Sequence, residues 1–366
     1  MEDDKFLKEQ IITYLGNKRK LLDFIGESVK EILVKENLEK AKIFDGFSGS
    51  GIVSRYLKQY SSELYTNDFE EYAACINSCY LSNKSEVNIE KIEEINKKLN
   101  DLKLEGTGGF VRQLYSPEDD KNIKDGDRTF YTNQNALIID NIRKMIDDVE
   151  PELQKFFISP LLFKASVHVN TSGVFKGFYK DKDTKLGKFG GTAENALVRI
   201  LGEIDLPVPI FSNYECPVHI FNRDTNELVK ELPELDITYF DPPYNQHPYG
   251  SNYFMLNLIY KNEIPTGYSK VSGIPTDWKK SDYYKKSTVK VAFENLIKNT
   301  NSKWILLSYN NEGLLTSEEI MEIMSKYGEV ELRIQKYNTF RGSKNLKDRA
   351  THVNELLYVL NKKRED

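Results

Sequence analysis

The sequence predicts an α/β fold: a parallel sheet with helices on its faces, interrupted by a mainly helical block. Three observations carry this. Short apolar runs of strand length end in a glycine or an acid and turn into helices. The segments that follow them have the 3.6-residue apolar period of a packed helix. Between about 80 and 210 the strand signals stop and helical periodicity takes over.

A turn, Tyr14-Leu15-Gly16-Asn17-Lys18, leads into a helix on which Leu21, Leu22, Ile25, Val29, Ile32 and Leu33 recur at helical spacing. The apolar run AKIFDGF reads as a first strand. It ends at Ser48-Gly49-Ser50-Gly51 and turns into the helix IVSRYLKQY. A second strand, ELYT, ends at Asn67-Asp68. The central block holds the helical segments NALIIDNIRKMIDDV and LQKFFISPLLFKASV. GTGG at 106–109 reads there as a loop rather than a phosphate cradle. The α/β pattern resumes with PVHIF, reaching Asn222-Arg223-Asp224, and with LDITYF, which stops at Asp241-Pro242-Pro243-Tyr244. Two consecutive prolines cannot continue a central strand, so the chain leaves the sheet there. KWILLSYN and a terminal pair, VELRIQKYN and NELLYVLN, complete the strands. The expected division is 1–79 with 211–366 as one domain and 80–210 as an insert.

At 366 residues, 39% of them hydrophobic and 29% charged, the chain can bury a full core. No apolar run reaches the roughly 18 residues of a membrane span. MEDDKFLKEQ lacks the apolar stretch of a signal peptide. Three cysteines are too few for a disulfide framework, so a reducing, cytoplasmic setting is expected. Cys75 and Cys79 lie four apart without a second Cys/His pair nearby, which reads as packing, and no metal is expected. His168, alternating with Val167 and Val169, reads as a structural histidine.

Ligands of open α/β sheets bind beyond the carboxyl ends of the strands. Four carboxylates fall at that edge: Asp45, Asp68, Asp224 and Asp241. The turn FSGSG has small residues where a ligand must approach backbone, but it lacks the spacing GxGxxG and is followed by no phosphate-binding lysine. Asp68, one strand later, is placed to accept ribose hydroxyls. The sharper signal is Asp-Pro-Pro-Tyr. An exocyclic amine is a poor nucleophile, because its lone pair is delocalised into the ring. Acceptors for both N–H groups let the nitrogen pyramidalise toward a methyl donor. Asp241 can supply one and the Pro242 carbonyl the other, with Pro243 stiffening the backbone. Tyr244 offers a flat surface for a base turned out of the duplex.

These motifs resemble the α-type DNA adenine-N6 methyltransferases, the DNA adenine methylase (Dam) group and its restriction-modification relatives. YLGNKRKLL is similar to that family's donor-binding segment, FDGFSGSG to its glycine-rich loop, and TNDFE to its ribose-binding acid. NRDT resembles the strand end beside the adenine of S-adenosylmethionine (AdoMet), and DPPYNQHPYGSNY the catalytic segment. FRGSKNLKDRATHVNELLYVL resembles the closing basic loop and strand. RTFYTNQNALIIDNIR is similar to a stretch of restriction-associated members. The resemblance implies a Rossmann-like AdoMet-dependent methyltransferase sheet with a helical target-recognition insert. It further implies that Tyr14, Gly16 and Lys18 line the methionine end of AdoMet. Asp45, Phe47, Ser48, Gly49 and Gly51 would surround its backbone. Asp68 would bind the ribose, and Asp224 with Phe69 the adenine.

The implied partner is double-stranded DNA, with a cognate restriction endonuclease possible and a monomer or weak dimer expected. The net charge of −5 runs against a polyanion, but the basic residues cluster. Arg333, Lys336, Arg341, Lys344, Lys347 and Arg349 face one acid, Asp348. Lys176, Lys180, Lys182 and Lys185 face Asp181 and Asp183. Arg341, Lys344 and Lys347 are therefore expected DNA contacts. In the insert, SVHVNTSGVFKGFYK mixes side chains suited to base edges, stacking and phosphates, which nominates Asn170, Tyr179 and Lys176.

Overall fold

The five central apolar runs become parallel strands because both faces of the sheet they form are covered by helices. In the computed structural model, which describes residues 2–191, 194, 196–244, 246, 248–338 and 352–363, these are β1 (Ala41–Asp45), β2 (Ser61–Asn67), β3 (Val218–Phe221), β4 (Leu235–Phe240) and β5 (Ser302–Asn310). β6 (Gly328–Asn338) and β7 (His352–Lys362) close the sheet, in the order β3-β2-β1-β4-β5-β7-β6. The first five are mutually parallel. β7 lies antiparallel between β5 and β6. The order reverses between β1 and β4, and a reversal opens a crevice at the carboxyl edge. β7 runs the other way, so its first residues lie at that same edge.

Two apolar clusters flank the sheet. One joins Ile43, Leu64, Ile237, Leu306 and Val359 to the helices Leu22–Lys35, Ile52–Leu57 and Glu71–Tyr80. The other joins Phe44, Phe240, Leu307 and Tyr358 to the helices Lys286–Asn299 and Ser317–Ser325. The last two helices, and Phe254–Lys261, arise between strands, where the sequence pattern named no helix.

The block 80–210 is mainly helical, with Ile89–Leu102, Phe110–Tyr115, Asn133–Ile146, Pro151–Val167 and Leu197–Leu201. Buried residues of the block such as Tyr115, Phe130, Ile138 and Leu161 belong to the first cluster, so block and sheet share one continuous core. Arg143 fastens the two by donating to the carbonyls of Ile259 and Tyr260 at 3.0 and 3.2 Å. A later segment joins it as well: Tyr115 Oη donates to Gly273 O at 2.8 Å and Arg128 to Lys270 O at 2.9 Å. GTGG cradles a side chain of the protein itself. The amides of Gly109, Val111 and Arg112 all donate to Asp140, at 2.7, 3.1 and 2.9 Å. Cys75, Cys79 and Cys216 are free and buried, and His168 Nδ1 bonds Arg199 O at 2.7 Å. No helix among the described residues is long and apolar enough to cross a membrane.

Candidate active site

The ends of β1, β2 and β4 enclose a cleft of about 710 Å³, its mouth included. The glycine turn after β1 forms one wall. Gly49 and Gly51 adopt φ of +51° and +78°. A Cβ on Gly49 would come within 2.6 Å of Tyr14, and one on Gly51 within 2.5 Å of Asn77 Oδ1. The turn therefore needs glycine for both conformation and space. Ser48 is tied to the end of β2 by its amide and hydroxyl, each 3.0 Å from Asn67 O.

Asp68, at the end of β2, is fixed by backbone: Gly49 N donates to Oδ2 at 2.7 Å and Glu70 N to Oδ1 at 2.9 Å. Burial pushes its carboxyl up, opposed by those two amides. Glu70 also lines the cleft. It is buried, its Oε1 has no hydrogen-bond partner, and burial raises its carboxyl to about 7. Phe69 and Phe47 supply apolar wall, with Tyr283 edge-on to Phe47 at 5.4 Å.

Across the cleft, the segment before the first long helix is clamped by aromatic residues. Tyr14 stacks on Tyr249 and Tyr253 at 5.1 and 4.8 Å. Tyr253 Oη accepts from Leu15 N at 2.7 Å. Gly16 carries φ +74° and packs next to Tyr244. This clamp delivers Lys18 to the interior, 4% exposed, where its ammonium lies 3.0 Å from Asp241 Oδ1 and 3.1 Å from Glu355 Oε1. Burial opposes that charge, but Asp241 and Glu355 together outweigh it and hold the ammonium well above the ordinary lysine range. Burial raises the Asp241 carboxyl to about 6, with Lys18 pulling down and Glu355 pushing up. The ion pair leaves Asp241 Oδ1 without an aligned hydrogen bond. Tyr244 lies beside them, its ring 5.8 Å from Lys18 Nζ and edge-on to Tyr309 at 6.0 Å.

Of the residues nominated from sequence, the cleft brings together Tyr14, Gly16, Lys18, Phe47, Ser48, Gly49, Asp68, Phe69, Asp241 and Pro243. Gly51, Pro242 and Tyr244 adjoin it within the same two turns. Asp45 sits deeper: it is fully buried, accepts from Ser54 Oγ at 2.6 Å, and is raised by burial to about 7. Asp224 is exposed and caps the Thr225–Leu228 helix through Asn226 N at 2.8 Å. Asn170 is wholly buried rather than facing solvent. It donates to Thr129 O and Lys188 O and accepts from Gly190 N, so its amide is spent on holding the 170–190 loop. Lys176 is exposed and Tyr179 half-buried on that loop. Arg333, counted in the basic stretch, is engaged by Glu31 at 2.6 Å and Glu331 at 2.8 Å. Arg341, Lys344 and Lys347 lie outside the described residues. Glu70, Tyr239, Tyr249, Ser281, Tyr284 and Glu355 were not nominated. Glu70, Tyr249 and Glu355 stood inside quoted motifs and Tyr239 in a quoted strand; Ser281 and Tyr284 had no local signal.

AdoMet carries a sulfonium cation, an ammonium, a carboxylate, ribose hydroxyls and an adenine ring. The cleft offers carboxylates (Asp68, Glu70, Asp241), the Lys18 ammonium, and apolar wall from Phe47, Ile52, Val53 and Phe69. The donor set fits this group. Among the described residues no group of three or more His, Cys, Asp or Glu could hold a metal ion.

The reversed parallel sheet, the glycine turn, the buried acid after β2 and the strand-ending Asp-Pro-Pro-Tyr define an AdoMet-dependent methyltransferase of the amino-methylating class. Residues 14–323 match the D12 class N6 adenine-specific DNA methyltransferases, and the chain belongs to that family. It is 31% identical over 339 residues to the type II methyltransferase M.CviAII of Paramecium bursaria Chlorella virus 1, covering 90% of this chain and 93% of that one. It is 28% identical over 362 residues to the type II methyltransferase M.NlaIII of Neisseria lactamica, covering 96% and 99%. With the modification methylase StsI of Streptococcus sanguinis the identity is 30% over 96% of this chain but 52% of that protein.

Proposed function

We propose that this adenine-N6 DNA methyltransferase modifies one short sequence in duplex DNA as the protective partner of a type II restriction endonuclease. The observation that carries the chemical assignment is the half-buried Asp241 carboxylate at the end of β4, paired with Lys18 at 3.0 Å and edged by Tyr244. Asp241 Oδ1 and the Pro242 carbonyl accept the two hydrogens of the target amine, Pro243 holds the turn, and the extruded adenine stacks on Tyr244. When bound, AdoMet would supply an electrophilic methyl on sulfur; its transfer to N6 would release the neutral thioether S-adenosylhomocysteine, with the displaced N6 proton taken up by the Asp241 carboxylate.

Tyr14, Gly16 and Lys18 face the methionine end of the donor. Phe47, Ser48, Gly49 and Gly51 shape its backbone path, with Asp45 supporting the turn from below. Asp68 takes the ribose, and Phe69 with Asp224 borders the adenine. Lys176 and Tyr179, on the loop braced by Asn170, approach the DNA, joined by Arg341, Lys344 and Lys347 at the phosphates. The names of the relatives M.CviAII and M.NlaIII favour a type II system. We place the enzyme in the cytoplasm as a monomer or weak dimer, which sedimentation with and without a DNA duplex tests.

Single-molecule sequencing of DNA from a host expressing the chain reads base, substrate and motif together. N6-methyladenine at one recurring sequence is the expected result. Unmodified adenines, or methylation without a shared sequence, would sink the proposal.

A further inference from the structure

Lys18 is shared. Its buried ammonium is 3.0 Å from Asp241 Oδ1 on one side and 3.1 Å from Glu355 Oε1 on the other. Glu355 is 2% exposed, and Ser308 Oγ donates to the same Oε1. Ser308 is on β5, and Asn310 of that strand is the register partner of Glu355 on β7. A buried carboxylate this far into the sheet costs desolvation and contributes little stability over an apolar residue, so its position calls for a reason.

Two carboxylates compete for one ammonium. If Lys18 were paired with Asp241 alone, it would hold that carboxylate fully, and the oxygen would be a poorer acceptor for an incoming amine. Lys18 lies within ion-pair distance of both carboxylates, so neither Asp241 Oδ1 nor Glu355 Oε1 has it alone. We infer that Glu355 is a positioning residue: by sharing Lys18, it keeps the Asp241 carboxylate open to the adenine amine. This rests on the reading of Asp241 as the acceptor of that amine.

The charged and titratable groups around Asp241 come from every neighbouring element. Lys18 lies on the N-terminal segment, Asp45 on β1, Tyr239 on β4, Glu355 on β7, and Tyr249 follows the tetrapeptide. Burial raises the Asp241 carboxyl to about 6, and among its neighbours Glu355 pushes it up while Lys18 pulls it down. Removing the charge of Glu355 therefore moves Asp241 down, in the sense opposite to a general loosening that admits no new cation.

The test is single-turnover methylation of a duplex as a function of pH, with AdoMet affinity and melting temperature measured on the same preparations. For Glu355→Gln we expect the rate to fall about 10- to 100-fold, AdoMet affinity to hold, and the acid limb to move to lower pH by about half a unit or more. An unmoved or upward-moving limb, or an affinity loss as large as the rate loss, overturns the inference. Ser308→Ala serves where Glu355→Gln does not fold. It frees Glu355 Oε1 to pair more strongly with Lys18, so the acid limb moves up; a downward shift or none overturns the inference. Asp241→Asn is the separate control, because methylation retained there defeats the reading of Asp241 whatever Glu355 does.

Discussion

Two carboxylates face each other across the cleft, and they are held in opposite ways. Asp68 is gripped by two backbone amides, Gly49 N and Glu70 N. Those donors are part of the strand ends and cannot turn away. Asp241 is met by one long side chain, Lys18, which is divided between it and Glu355. The first arrangement is rigid and suits a group that must present the same oxygens to a bound molecule. The second can exchange partners, which suits a group that takes a hydrogen from a passing substrate. Burial raises both carboxyls, and the sharper contrast lies in their partners.

The comparison breaks most sharply at Asp241. Asp241→Ala is expected to cut methyl transfer by about 100- to 1,000-fold or more, with AdoMet affinity nearly unchanged. Radiolabelled methyl transfer and equilibrium binding check this together, and an active variant would remove the difference between the two sides.

Asp68→Ala is expected to show the complementary split. Loss of a charge-assisted acceptor should weaken AdoMet binding by about 10- to 100-fold, while the rate at saturating donor changes much less. A rate collapse with intact affinity would mean that the two roles are exchanged.

The pH profile sharpens the point. Asp241 is raised by burial to about 6, and it must be ionised to accept a hydrogen. The single-turnover rate should therefore be level above that value and fall as pH drops through it. The linkage runs the other way for stability. The folded protein binds this proton more tightly than the unfolded chain, so ionising Asp241 costs stability as pH rises toward about 6. An acid limb near the ordinary carboxylate range would show that a different group titrates.

The smallest effect is expected outside the cleft. Lys176 is exposed on the loop that Asn170 braces from within. Lys176→Ala should weaken duplex binding a few-fold and lower the salt slope of the affinity by about one. Binding measured across a salt series decides it; an unchanged slope places Lys176 away from phosphate.

By itself the sequence determined the sheet, the glycine turn and both principal carboxylates, because each depends on local chemistry. Paired prolines must end a strand, and glycines at positive φ must be glycines. Asp68 and Asp241 were legible because an acid directly after an apolar strand falls at the carboxyl edge of a parallel sheet. Side-chain direction in the remaining places was not local. Asn170 has the composition of a surface contact, yet two backbone groups of its loop and the carbonyl of Thr129 turn it inward. Arg333 looks like part of a basic run until Glu31 and Glu331 engage it. Glu355 sits in an ordinary terminal strand, 337 positions after Lys18 in the chain. Only the antiparallel insertion of β7 between β5 and β6 carries its first residues to the catalytic edge, where burial makes a shared ammonium count.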